Sequence, residues 1–166
     1  MAKMKNRATT QENTAPSCDW RRPTKRAVDG NKNRLCKHKG AFTWSGVKTD
    51  RYKQKEGGWS SIVRNVLIGE NGETARFHLR YFEIAPGGFS SLEQHRHEHV
   101  VVCIRGKGKI RMGRKVHTIN YLDTAYVAPD TVHQLTNPYD EPFGFFCIVN
   151  AKRDRPKLVK AASKRK

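Results

Sequence analysis

Residues 87–106 read GGFSSLEQHRHEHVVVCIRG, and this stretch decides the fold. Pro86, Gly87 and Gly88 mark a turn, and Gly106-Lys107-Gly108 marks the next. Between them, Glu93, His95, His97 and His99 fall on every second position, ahead of the apolar run through Ile104. Alternation along a straight strand puts those four side chains on one face. Turn residues at both ends and a strand of five or so residues predict a short β-element in an antiparallel structure.

The same rhythm continues outward. Ser61 to Leu67 reads as a strand, Asn71-Gly72 as a hairpin turn, and Phe77 to Ile84 as a strand stopped by Pro86-Gly87-Gly88. Downstream, Lys109 to Met112, Val116 to Ile119, Thr124 to Val127 and Phe143 to Val149 extend the series, which stops at Arg153. No helical apolar stripe of useful length interrupts it, so the fold class is all-β, a barrel or sandwich. There is no repeat of the length a solenoid or a two-barrel protein needs. Phe42-Thr43-Trp44, ahead of the series, reads as an edge strand or a contact between two copies of the chain.

Imidazoles and a carboxylate converging on one face of a barrel suit a first-row divalent ion. Four of the seven histidines lie in two short windows, with His133 closing the set from a neighbouring strand. A single such histidine would read as polar surface; the Glu-x-His-x-His-x-His cluster beside Gly and Pro turns does not.

These residues resemble the cupin superfamily over roughly residues 77–149. Its first motif is G(x)5HxH(x)3–4E(x)6G, and two alignments are open. In the first, Gly87 and Gly106 take the glycine places. Glu93 and His95 then take the histidine places, and His99 the glutamate place. In the second, His95 and His97 form the pair, Phe89 and Gly108 take the glycine places, and Val101 the glutamate place. The first keeps both glycines and four ligands, and is preferred. The second motif, G(x)5PxG(x)2H(x)3N, is similar to Leu122 through Asn137, with His133 and Asn137 in place. Leu122, Ala128 and Asp130 depart from its glycine, proline and glycine. The resemblance implies a double-stranded β-helix, the jelly-roll cupin barrel. It also implies one divalent transition metal ion (Mn, Fe, Ni, Co, Cu or Zn) held by Glu93, His95, His99 and His133.

It does not imply one reaction, because a fold does not settle function. A metal with open positions suits a small carboxylate or oxygen-rich substrate, as in an oxygenase, lyase or isomerase. The candidates for acid, base or binding group are His97, Tyr81 and Arg80, alternation admitting only one of the last two to the interior. Val101 and Cys103 share the parity of His99 and point inward, Cys103 as a pocket thiol or, preferred, a small core filler. His78 and His117 read as surface or strand residues without a role. The competing reading is a non-catalytic metal- or ligand-binding barrel, docked by its basic arms to nucleic acid or another acidic partner.

Composition bounds the remainder. Net charge is +18, but residues 61–150 carry 10 Lys+Arg against 9 Asp+Glu, whereas residues 1–60 carry 15 against 5 and residues 151–166 carry 8 against 1. A near-neutral barrel (41–150) between a basic N-terminal arm (1–40) and a basic C-terminal tail (151–166) is the expected division. Basic arms neutralise phosphates, but without interleaved aromatics or a nucleic-acid motif they read equally as solvated ends. No stretch approaches the about 18 apolar residues of a membrane span. Arg21-Arg22 is followed by Pro23-Thr24-Lys25-Arg26 rather than an apolar segment, which argues against export. Cys18, Cys36, Cys103 and Cys147 lack a framework spacing, which fits a reduced, cytoplasmic setting. Cys18, Cys36 and His38 lack a fourth zinc ligand. A homodimer is the expected assembly.

Overall fold

The computed structural model describes residues 33–51 and 60–159; Cys18, the twin arginine and the distal parts of both arms lie outside them. The described residues hold no helix. Their strands are β1 (Thr49–Arg51), β2 (Ser60–Ile68), β3 (Phe77–Phe89), β4 (Glu93–Gln94), β5 (His99–Arg105), β6 (Gly108–Met112), β7 (Lys115–Ile119), β8 (Thr124–Val127), β9 (His133–Thr136), β10 (Phe143–Asn150) and β11 (Lys157–Leu158). Every pairing is antiparallel, and the order β11-β4-β9-β3-β10-β5-β8 curls into a nearly closed barrel, with β6 joined to β9 and β2 to β3. This is the all-β class expected from the turn spacing and the jelly-roll barrel that the cupin resemblance implies.

One expected strand end is corrected. β3 does not stop at Pro86 but runs through Gly87-Gly88 to Phe89. Up to Ile84 it pairs with β2 and β10; beyond, Ser60 of β2 still meets Phe89, and Gly87 N–H donates to Asn137 O and Asn137 N–H to Gly88 O. Proline, which has no N–H to give, sits where the strand changes partners. Gly88 is required by space: a Cβ there would lie 2.8 Å from Ile84 Cγ2 and from Ser60 O. Asn137 holds the bend from its side chain, donating to Ile84 O and to Glu141 O, both at 2.8 Å.

Alternation along β3 and β10 builds two cores. Phe82, Ile84, Val101, Cys103, Ile110, Val127, Phe143 and Phe145 fill the barrel interior. Several of them are fully withdrawn from water, each side chain contributing about 1.5–3 kcal/mol. Cys103 is one of these, a core filler as preferred, and Val101 is inward with it. The opposite parity gives the second core. Tyr81, Leu79 and Phe146 face outward and are covered by Cys36, Phe42, Trp44 and Val47. Phe42 lies flat on Tyr81 at 5.4 Å and Trp44 tilts against it at 5.1 Å. Phe42-Thr43-Trp44 is thus not an edge strand: Trp44 makes a single bridge with His38 and caps the sheet of its own chain. Arg34, within the expected arm, pairs with Glu73 at 3.2 Å.

At the other end, the strand series does not end at Arg153. Residues 154–159 return to the barrel mouth, where β11 pairs with β4 and Val159 N–H donates to Leu92 O. Of the two histidines expected as surface or strand residues, His78 is a strand residue of β3, buried beside Glu70, and His117 is exposed on β7.

Candidate metal centre

The expected straight strand through residues 93–99 is broken. β4 ends at Gln94, the chain bends over residues 95–98, and β5 begins at His99. Parity therefore does not carry the cluster together; pairing does. Glu93 lies opposite His133 across β4 and β9, and Asp130 N–H donates to His95 O, tying the bend to the loop before β9. His99 enters from β5, held by β10 through Val149.

Each imidazole is oriented through one nitrogen. His95 Nδ1 bonds His97 O at 2.8 Å, His133 Nδ1 bonds Thr131 O at 2.8 Å, and His99 Nδ1 faces Cys147 Sγ at 3.1 Å. In the first two the acceptor is a carbonyl, so Nδ1 carries the hydrogen and Nε2 presents a lone pair. These Nε2 atoms converge: His95 and His99 meet at 2.8 Å, and Glu93 Oε1 lies 3.9 Å from both His95 Nε2 and His133 Nε2. Ser91 donates to the other carboxylate oxygen, Oε2. His133 Nε2 is buried with no hydrogen-bond partner. Such an orphaned lone pair among further N and O donors fits a divalent cation.

Burial favours neutral imidazoles here. Loss of water, then the neighbouring His97 and His133, push His95 down to about 4. Burial, then His133 and His95, push His99 down to about 2. Neutral imidazole is the state that binds metal.

Two groups of three donors lie close enough to share an ion among the described residues: Glu93, His95 and His133, and His95, His97 and His99. Ring geometry separates them. His97 stacks on His95 with centroids 3.6 Å apart and planes 2° from parallel. Lone pairs in parallel, displaced planes do not aim at one point. His97 Nδ1 lies 2.7 Å from Asp154 Oδ1, an orienting bond of the kind His95 and His133 make, so it is the stacking that sets His97 apart. Asp154 also accepts the backbone N–H groups of Arg96 and His97, which hold its carboxyl well below the usual range.

The motif glycines offer a second comparison. Gly87 and Gly106 both have positive φ, 73° and 60°, whereas Phe89 and Gly108, the glycine places of the other alignment, do not. Leu122 and Asp130, which replace the two glycines of the second motif, nevertheless keep φ of 67° and 58°. Backbone shape persists there without the residue that makes it easy.

A cavity of about 850 Å³, counting its open mouth, lies beside the cluster. Arg80 lines it, so alternation admits Arg80 and not Tyr81. Tyr81 belongs to the outer core, its hydroxyl donating to Glu83 Oε2, and has no access to the cavity. Cys147, Asp154, Arg64 and Arg153 also line the cavity and were not singled out from sequence. Cys147 was legible, since Phe143, Phe145, Cys147 and Val149 share one inward parity on β10. Asp154 carried no signal, because its place depends on the return of the chain to β4.

The Cupin domain family model matches residues 80–149. Over 118 residues, 70% of this chain and 74% of the relative, the sequence is 41% identical to 1-methylthio-D-xylulose 5-phosphate methylsulfurylase of Rhodospirillum rubrum. Among solved structures, a cupin-2 domain protein of the same organism is 36% identical with a TM-score of 0.68, covering 79% of this chain and 85% of that one. A cupin 2 conserved barrel domain protein of Rhodopseudomonas palustris is 34% identical with a TM-score of 0.72, covering 77% and 88%.

Proposed function

The chain belongs to the cupin superfamily, and from that premise we propose a metal-dependent enzyme of small oxygen-rich substrates, with Glu93, His95, His99 and His133 as ligands. The observation that carries this reading is the convergence of Nε2 atoms on Glu93, with the His133 lone pair buried and unmatched. A divalent ion held there supplies Lewis acidity toward carbonyl and hydroxyl oxygens. Mn, Fe, Co, Ni, Cu and Zn all accept such a donor set.

The finer reading takes the substrate to be a methylthio-substituted ketopentose phosphate and the reaction a transfer of its methylsulfanyl group, as named for the Rhodospirillum rubrum relative. The cavity opens beside the imidazoles, and the Cys147 thiol is part of its lining. The Cys147 thiolate attacks the thioether sulfur, forming an S–S bond and breaking the bond from that sulfur to carbon. The electron pair leaves with the carbon next to the carbonyl, which takes up a proton and becomes a methyl ketone. The methylsulfanyl group on Cys147 then passes to a second, small-molecule thiol by exchange, which restores Cys147. Burial pushes the Cys147 thiol up, and the Arg80 guanidinium at 3.3 Å works against that. His97, outside the ligand set and oriented by Asp154, is the proton carrier.

The test is incubation of metal-loaded protein with 1-methylthio-D-xylulose 5-phosphate and a small thiol, following the methyl ketone by NMR. Without the acceptor thiol, intact mass should show one methylsulfanyl adduct, removable by dithiothreitol and missing in Cys147→Ser. Undiminished turnover by Cys147→Ser would remove the thiol step; no turnover by the metal-loaded wild type would remove the sulfur-transfer reading.

A further inference from the structure

Arg80 sits on β3 with its side chain inside the barrel, 8% exposed. Its guanidinium stays charged at any ordinary pH. One edge of the fork reaches Cys147 Sγ at 3.3 Å, and sulfur is a weak acceptor. The plane lies over the Phe82 ring at 5.1 Å. Nε, on the same side of the fork, is buried and meets no acceptor, and no carboxylate among the described residues pairs with the group. A buried cation without an anion costs several kcal/mol in a protein. Such an arrangement persists where a ligand supplies the missing charge.

The wall around it has the same sign. Arg64, which also reaches Asp50 at 3.7 Å, and Arg153, which donates to Asn150 O at 3.1 Å, line the same cavity. The acidic groups facing it are already engaged. Glu93 accepts from Ser91 and points at the imidazoles, and Asp154 is held by His97 and two backbone N–H groups. A buried guanidinium whose hydrogen-bond partner is only a weak sulfur acceptor matches the oxygens of a phosphate monoester better than a single carboxylate or a neutral hydroxyl.

We infer that Arg80, flanked by Arg64 and Arg153, is the subsite that takes the phosphate group of a sugar-phosphate substrate. This rests on the reading of the imidazole cluster as the centre that holds the substrate's middle oxygens. One wall of the cavity beside that centre is formed where β3 and β10 pair. On that wall Cys147 and Arg80 stand next to each other, one for the sulfur-bearing end and one for the phosphate.

The experiment uses full-length, metal-loaded protein and isothermal titration with D-xylulose 5-phosphate and with D-xylulose. Wild type should bind the phosphate ester at least about tenfold tighter, and inorganic phosphate should compete with it. Arg80→Met should bring the two sugars to equal affinity with the metal content unchanged, and should not lower the melting temperature, because it replaces a buried unpaired charge with an apolar chain. If Arg80→Met does not fold, Arg80→Lys, which keeps the charge and loses the fork, should retain only part of the preference. Equal binding of both sugars by wild type, or an undiminished preference in the folded Arg80 variant, would overturn the subsite. Turnover of the methylthio substrate distinguishes the two readings. Phosphate-selective binding without turnover by wild type sinks the sulfur-transfer reading alone; turnover by wild type with an unaltered binding preference in the Arg80 variant sinks the subsite alone.

Discussion

Arg80 and Tyr81 are neighbours on one strand, both buried, and they end in opposite environments. Tyr81 enters the outer core, where every polar demand is met. Its hydroxyl meets Glu83, Glu83 pairs with Arg105 at 2.7 Å, and Arg105 lies over Phe42 at 4.9 Å. Burial and Glu83 push the Tyr81 phenol up, so it stays a neutral donor. Arg80 enters the mouth, where Nε is unmatched and the nearby His133 Nε2 is unmatched too. The two faces of one sheet therefore differ in polar closure more than in burial. A closed network rigidifies; an open one is a place for something to bind.

The largest test of that contrast is at the ligands. His133→Ala or His95→Ala should take metal content from about one ion per chain to none, while His97→Ala should retain it, checked by elemental analysis of purified protein. Equal loss from His97→Ala and none from Glu93→Ala would move the centre to the His95, His97 and His99 group. On the closed face, Trp44→Ala should lower stability by about 3–5 kcal/mol in denaturant melts, leaving the metal content of the folded fraction unchanged. Loss of metal in step with that variant would show that the two faces are not independent.

Acid should act on the open face. His95 and His99 have folded pKa values below the ordinary imidazole value, so unfolded chains take up protons first as pH falls below about 6.5. The melting temperature of metal-free protein should therefore fall from pH 7 toward about pH 4, and added metal should delay the fall. A flat profile would mean that these imidazoles are not held neutral. Tyr81→Phe is smaller, a loss of about 1 kcal/mol, because Glu83 keeps Arg105. Leu122→Gly should be the smallest, a rise in melting temperature worth a few tenths to about 1 kcal/mol, because an exposed leucine at φ 67° gives way to a residue at ease there.

Much of this molecule was legible in its residues. Alternating patterns bounded by Gly, Pro and Asn located most strands, because side-chain period and turn preference are local properties. The parity of β3 stated that Arg80 and Tyr81 must part, but not which went inward; that depended on which face the chain from Arg34 to Val47 would cover. The cluster of Glu93, His95, His99 and His133 was named from spacing and resemblance, although the straight strand invoked for it is a bend in the fold.

By itself, then, the sequence determined an antiparallel all-β chain with histidines and a carboxylate beside its turns. Their identity and spacing are enough to imply a metal-binding chemistry. Only the tertiary structure decided that Cys147 faces His99, that Asp154 returns to orient His97, and that Arg80 lies buried beside them with no acidic partner. Those are contacts between strands and loops far apart along the chain. Their register is set by the closure of the barrel, which no local preference encodes.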